Sequence, residues 1–267
     1  MSIISRSVLQ ALILTKNEEP NIQRVLDKLT WLERVVVLDS YSTDKTIEIL
    51  QSYPNVEIVY RAFDSFAQQC NYGLSLIESK WVLSMDADYV LTDQFIEETK
   101  AFVSDTNSDI VGYDTRFEFL IYGRQLISNN TTPRTVLFLK ALGSYFDDGH
   151  AHRLRINGRI GAYKSRILHD DRKPFSRWLS NQDGYSIKEC HKLLDPTNPD
   201  RNSMLNKIRR TKIFAPLFVF FYCLIVKRLI FSGWAGWYYT LQRTMVEMLF
   251  ALRLMEEQHF DVNSKNK

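Results

Sequence analysis

Short apolar runs alternate with stretches of helical period through the first hundred residues. Residues 8–14, 35–38, 56–60 and 81–85 read as strands. Residues 21–32 read as a helix with Ile22, Val25, Leu26 and Leu29 on one face, and residues 44–51 and 65–78 as two more. That alternation predicts a parallel sheet with crossover helices. The first, second and fourth runs each close on a polar cluster: Thr15-Lys16-Asn17-Glu18, Asp39-Ser40 and Asp86-Ala87-Asp88. Strand carboxyl ends are where open α/β sheets bind ligands.

Past residue 105 the pattern changes to mixed short strands, expected over 110–119, 135–139, 154–156 and 160–167, with a helix over 175–194. Residues 195–200 hold Pro196 and Pro199 among turn formers and read as a linker. The stretch 213–226 is apolar apart from the interruption at Pro216, but is short for a membrane span of about 20 residues. Lys227-Arg228 follow it, Lys207, Arg209, Arg210 and Lys212 precede it, and Trp234, Trp237, Tyr238 and Tyr239 lie in the next apolar stretch. Basic and aromatic residues beside apolar segments suit an anionic bilayer surface, so in-plane or re-entrant helices are expected. The alternative is a helical hairpin packed on the main domain.

Composition sharpens this picture. With 45% hydrophobic and 24% charged residues in 267, the chain can bury a substantial core, which excludes a disordered or fibrous protein. A net charge of +3 argues against a generic nucleic-acid binder. Between residues 201 and 246 lie eight of the 34 basic residues and none of the 31 acidic ones, so the remainder carries 26 basic against 31 acidic. Cys70, Cys190 and Cys223 are widely spaced and imply neither a disulfide framework nor a zinc site. The first apolar run reads as a core strand rather than a signal peptide. The expected organisation is a main α/β domain over 1–200, divided near residue 120, then membrane-associated helices over 201–256 and a polar tail over 257–267.

Carboxylates two apart at a turning strand end, as in Asp86 and Asp88, can face one divalent cation, and their hard oxygens suit Mg or Mn. A cation there would neutralise a diphosphate leaving group. The ordered series Leu14-Thr15-Lys16-Asn17-Glu18-Glu19, Val36-Val37-Leu38-Asp39-Ser40-Tyr41-Ser42-Thr43-Asp44, Gln68-Gln69-Cys70-Asn71-Tyr72-Gly73 and Met85-Asp86-Ala87-Asp88 resembles the family 2 inverting glycosyltransferases. The resemblance covers roughly residues 8–120. It implies a GT-A fold, a Rossmann-like α/β sheet that binds a nucleotide-sugar. Thr15, Asn17 and Glu18, with Ser40 nearby, would line the nucleotide pocket, and Asp39 would accept from a pyrimidine imide. Asn71 would lie near the diphosphate, Asp86 would face ribose or metal, and Asp88 would bind the metal. Asp44 reads only as a helix cap.

The second half is similar to bacterial lipopolysaccharide-core glucosyltransferases, which carry a His-Glu pair and a later histidine. His152 fits the first histidine, but Arg153 stands in the Glu position. His169 resembles the late histidine that supplies a further metal ligand. Inverting transfer needs a group that deprotonates the acceptor hydroxyl. Asp148, opening a loop beside Gly149, is the first candidate, with Asp147 and His152 in reserve. His150 lies in the same loop. Trp178 and Gln182, spaced i, i+4, suit sugar recognition, and Arg172 or Arg177 suits a phosphate.

The reading that follows is a metal-dependent transferase at the cytoplasmic face of the inner membrane, moving sugar from a UDP-sugar to a lipid-linked or cell-envelope glycan acceptor. One alternative is a nucleotidyltransferase, disfavoured because the loop after the first strand is acidic and lacks glycine. The other is a non-enzymatic membrane scaffold, which would leave Asp39, Asp86 and Asp88 without a purpose.

Overall fold

The computed structural model describes residues 3–148, 151–198 and 202–259. The strands are β1 (Leu9–Thr15), β2 (Val35–Asp39), β3 (Val56–Tyr60), β4 (Trp81–Asp86), β5 (Tyr89–Val90), β6 (Ile110–Ile121), β7 (Arg124–Gln125), β8 (Arg134–Leu139), β9 (Gly143–Asp148), β10 (Ala151–Ile156) and β11 (Arg159–His169). The helices are α1 (Ile22–Leu26), α2 (Thr46–Gln51), α3 (Phe66–Leu76), α4 (Asp93–Ser104), α5 (Phe175–Leu194), α6 (Met204–Arg210), α7 (Phe214–Phe221) and α8 (Gly233–His259).

One mixed sheet runs in the order β3-β2-β1-β4-β8-β6-β11-β5. Its first four strands are parallel, as the alternating pattern predicted, and β8 then joins β4 antiparallel. Strands β1 and β2 are buried on both faces, which is why they read as unbroken apolar runs. Helix α3 lies so close to β1 that a Cβ on Gly73 would stand 2.5 Å from Leu12 Cδ1. The β9–β10 hairpin forms a separate two-stranded sheet.

Three expectations change. The helix expected over 21–32 stops at Leu26, because Asn55 Nδ2 donates to the carbonyls of Leu29 and Leu32, and Trp31 Nε1 to that of Lys28. Leu29, Trp31 and Leu32 are still buried, now on turns. Strand β9 and helix α4 lie outside the elements the pattern placed; α4 is capped by the Thr92 hydroxyl accepting from Phe95 N. The third change concerns the domain boundary.

The chain divides into two compact units, residues 1–123 with 130–173, and residues 124–129 with 174–267. The boundary expected at residue 200 falls instead at 173. Helix α5 belongs with the C-terminal helices because Cys190 and Leu193 pack with Phe250 and Leu254 of α8, and Asp183 pairs with Arg253 at 2.6 Å.

In the second unit, Arg209 is 3.1 Å from the buried Glu247 and stacks over Phe250. Among the described residues no single helix is long and apolar enough to cross a membrane. Only Phe214–Val226 with Leu229–Gln258 meets that test, as a pair bent by 70°. Arg228 and Gly233, both at positive φ, flank the short Leu229–Ser232 turn at that bend. Ile213, Phe214, Leu217, Phe221, Ile225 and Phe231 are each more than half exposed.

Candidate functional site

The carboxyl ends of β1, β2 and β4 bring the three polar clusters together within the first unit. Asp39 is fully buried. Its Oδ2 accepts from Thr15 Oγ1 at 2.8 Å and Ser42 Oγ at 2.6 Å, and its Oδ1 accepts from Ser42 N. Asn17 adopts a positive φ of 56°; its Oδ1 accepts from Thr43 N, and its own N–H donates to Ser42 Oγ. Ser40 Oγ accepts from Gln69 Nε2, and the Ser40 carbonyl accepts from Lys16 Nζ. Thr15, Asn17 and Asp39 were expected to touch the nucleotide. Their side chains hold the β1 and β2 loops to each other, the turn-capping role that aspartate and asparagine commonly take.

Asn71 is also committed. Its Nδ2 donates to the Tyr145 carbonyl at 2.9 Å and its Oδ1 accepts from Tyr145 N at 2.8 Å, which fastens the β9–β10 hairpin to α3. Tyr145 Oη meets Ser84 Oγ of β4 at 2.9 Å, so the hairpin is tied to the strand that ends at Asp86.

Asp88 has a different environment. Its Oδ2 lies 3.4 Å from His169 Nε2, while its Oδ1 is buried without a hydrogen-bond partner. Burial pushes this carboxyl up, and the imidazole opposes that shift. His169 reaches it from the end of β11, its ring stacked 4.3 Å from Phe119. Among the described residues no three carboxylate, imidazole or thiol groups are gathered as a metal cluster. A divalent cation nonetheless suits an orphaned carboxylate oxygen beside an imidazole, since Mg-type sites often use one or two carboxylates and take substrate phosphates for the rest.

Behind Asp88 lies a network that the sequence did not suggest. Glu18 Oε1 is 2.9 Å from Lys173 Nζ, and Asn21 Nδ2 donates to Glu18 Oε2 and Asp171 Oδ1. Arg24 and Arg172 both reach Asp170 Oδ2 at 2.8 Å. This lattice binds the residues after β1 to those after β11, so His169 is held in place from its next four positions. Arg172, the candidate for a phosphate, is paired with Asp170. Burial raises Glu18 to about 7 against the pull of Lys173, and Lys173 is itself raised by Glu18, Asp88 and Asp171 despite its burial.

On the hairpin, His152 stands opposite Asp147 in register and shares its face, while Asp148 alternates to the other. Asp147 accepts from Ser65 Oγ and Ala67 N at the start of α3. His152 stacks between Phe66 and Tyr145, close enough to Asp86 for its charge to act on the ring; burial dominates and lowers the imidazole. Asp148, the first choice of base, is ion-paired with Arg153, whose side chain is 62% exposed. Strand alternation thus puts His152 and Asp147 on the face toward α3, where the charge of Asp86 reaches the imidazole, and Asp148 on the other. His150 lies outside the described residues.

In the second unit, Trp178 stacks on Phe175 at 5.4 Å, and Trp178 and Gln182 are both half-buried along α5. One further residue escaped the sequence reading. Arg134, at the start of β8, is exposed yet lies among Asp86, Asp88 and Tyr89, with Nη1 3.4 Å from Tyr89 Oη. The only signal for it was its position before an apolar run.

A parallel four-strand half with an acidic pair at the β4 end, continued by β8 and β6 in a mixed sheet, is an α/β architecture of the GT-A type. The family model for glycosyl transferase family 2 matches residues 11–164, and the chain belongs to that family. A glycosyltransferase of Rickettsia bellii is 28% identical over 138 residues, half of this chain and 44% of that protein. LpsC of Rhizobium meliloti, a lipopolysaccharide core biosynthesis glycosyltransferase, is 28% identical over 115 residues, 42% of each chain. The matches therefore span less than half the length of these relatives. The Staphylococcus aureus TarS 1–349 structure in complex with UDP superposes with a TM-score of 0.48 at 13% identity, covering 94% of this chain and 91% of that one.

Proposed function

We propose that the protein transfers a sugar, with inversion, from a UDP-sugar to a lipid-linked or cell-envelope glycan acceptor. The observation that carries this reading is Asp88: a buried, partnerless carboxylate oxygen beside His169, two residues from Asp86, in a family 2 domain. Asp86, Asp88 and His169 would hold a Mg or Mn ion. When bound, that ion supplies positive charge to the diphosphate of the donor.

The chain's own residues supply the rest. The Thr15–Asp39–Ser42 and Asn17–Thr43 bonds preorganise the loops at the donor end. The Glu18–Lys173 lattice keeps His169 beside Asp88. His152, whose imidazole burial lowers, accepts the acceptor hydroxyl proton as the new glycosidic bond forms. The likeness to LpsC supports a lipopolysaccharide or related envelope acceptor.

The exposed apolar residues of α7 and the following turn, flanked by Lys207, Lys212, Lys227 and Arg228, suit the anionic cytoplasmic leaflet of the inner membrane, where a lipid-linked acceptor resides. Nucleotide release scored over a panel of nucleotide-sugars, with Mn and a membrane lipid extract, tests the reading. Turnover with UDP-sugars alone supports it, and release with no member of the panel overturns it.

A further inference from the structure

We infer that Arg134 grips the outer phosphate of the donor diphosphate and stabilises it as the leaving group. This rests on the transferase reading above and goes beyond it, since no motif or pairing in the sequence assigns Arg134 a role.

Sheet register explains the placement. Strand β4 pairs antiparallel with β8 through Trp81↔Leu139, Val82↔Phe138 and Leu83↔Leu137. Past Leu83↔Leu137 the two strands run on to the end of the sheet, β4 to Asp86 and β8 back to its first residue, Arg134, whose charge is felt by Asp86. Tyr89 underlies both: it is buried, and its hydroxyl takes the single side-chain hydrogen bond that Arg134 makes among the described residues, at 3.4 Å.

The guanidinium is therefore positioned but not neutralised. Asp86 and Asp88 are near enough for their charges to act on it, yet neither comes within ion-pair distance. Arg24, Arg34, Arg61 and Arg172 of the same unit all pair directly with carboxylates. An arginine has five N–H donors in a fixed fork, suited to two oxygens of one phosphoryl group. Arg134 is an exposed residue whose charge acts on both the acidic pair and His152.

The chemistry that fits is a diphosphate. In transfer, the acceptor oxygen forms a bond to the anomeric carbon, and its proton goes to the base. The bond from that carbon to the outer phosphate breaks, leaving its electron pair on a phosphate oxygen. Negative charge grows on that oxygen in the transition state, where a preorganised cation is most effective. The competing occupant is an anionic group on the acceptor.

Calorimetric titration of wild type, Arg134→Gln and Arg134→Lys with UDP and with UMP, in Mn buffer, separates the cases. UDP affinity is expected to fall at least tenfold in Arg134→Gln and less in Arg134→Lys, with UMP affinity unchanged because it lacks the outer phosphate. The transfer rate at saturating substrates should fall about 10²-fold. UDP affinity equal to wild type in both variants overturns the inference, and a rise confined to acceptor KM would assign Arg134 to the acceptor. If Arg134→Gln fails to fold, Arg134→Lys decides alone, by the ratio of UDP to UMP affinity. Wild type that binds neither nucleotide overturns the transferase reading itself, and the inference with it.

Discussion

Lys173 Nζ stands 2.9 Å from Glu18 Oε1, and the two side chains are only 14% and 12% exposed. One residue follows β1 and the other follows β11, so this buried pair joins two strand ends far apart in sequence. Removing one partner from a buried ion pair leaves a charge without compensation, which typically costs about 3 kcal/mol or more. At pH 8, above the raised range of Glu18, Lys173→Met should lower unfolding stability by up to that order in urea denaturation, and Glu18→Gln in the same chain should restore part of the loss. Strictly additive effects would show that the pair is not coupled.

The same carboxyl gives a pH dependence. Burial raises folded Glu18 from 4.5 to about 7, so the folded chain holds the proton more tightly than the unfolded one. The stability this contributes is complete below about pH 4.5 and is lost as pH climbs through 7, by roughly 3 kcal/mol at most. Glu18→Gln has no such proton. Measured from pH 4.5 to 7.5, the stability of wild type should fall relative to this variant; a constant difference would refute the shift.

Asp88→Asn replaces the orphaned oxygen's carboxylate with a neutral amide. The variant should fold, because Asp88 Oδ1 has no hydrogen bond to lose. Its UDP affinity, measured by calorimetry with and without Mn, should no longer respond to the ion. A Mn response equal to wild type would count decisively against a ligand role.

The base is tested kinetically. His152→Ala should retain donor affinity and lose about 10²- to 10⁴-fold in transfer rate at saturating donor, the usual contribution of general base catalysis. Asp148→Asn, whose carboxylate pairs with Arg153 on the opposite face, should stay within about tenfold of wild type. Asp147→Asn should mainly lower stability, by about 1 kcal/mol, through the weakened start of α3. A rate collapse in Asp148→Asn with His152→Ala active would restore the order drawn from sequence.

Membrane contact depends on large exposed side chains at the bend after α7. Phe231 is 76% exposed and Trp234 51%. Replacing both with serine should reduce co-sedimentation with vesicles containing anionic phosphatidylglycerol several-fold, with the fold unchanged by circular dichroism. Equal sedimentation of variant and wild type would remove this surface from the membrane reading.

The sequence by itself determined the parallel half of the sheet, helix α5 and the acidic pair after β4. Periodicity is local, and apolar runs such as residues 35–38 state their own burial. Motif order likewise identified the family, since spacing along the chain survives without coordinates. Tertiary structure decided what each polar side chain does. Asp39 and Asn71 sit where the motifs put them, but whether a carboxylate or amide meets a ligand or a neighbouring loop depends on what folds against it.

The same holds for the hairpin. Asp147 and Asp148 are adjacent in sequence and opposite in direction, a consequence of strand alternation that could not be applied until β9 was known to be a strand. The positions of Lys173 beside Glu18, and of Arg134 within reach of the charge of Asp86, arise from contacts between residues more than 40 apart along the chain. Charge is written in the sequence residue by residue, but the distances that make it an ion pair, a ligand or an unpaired cation exist only once the sheet has closed.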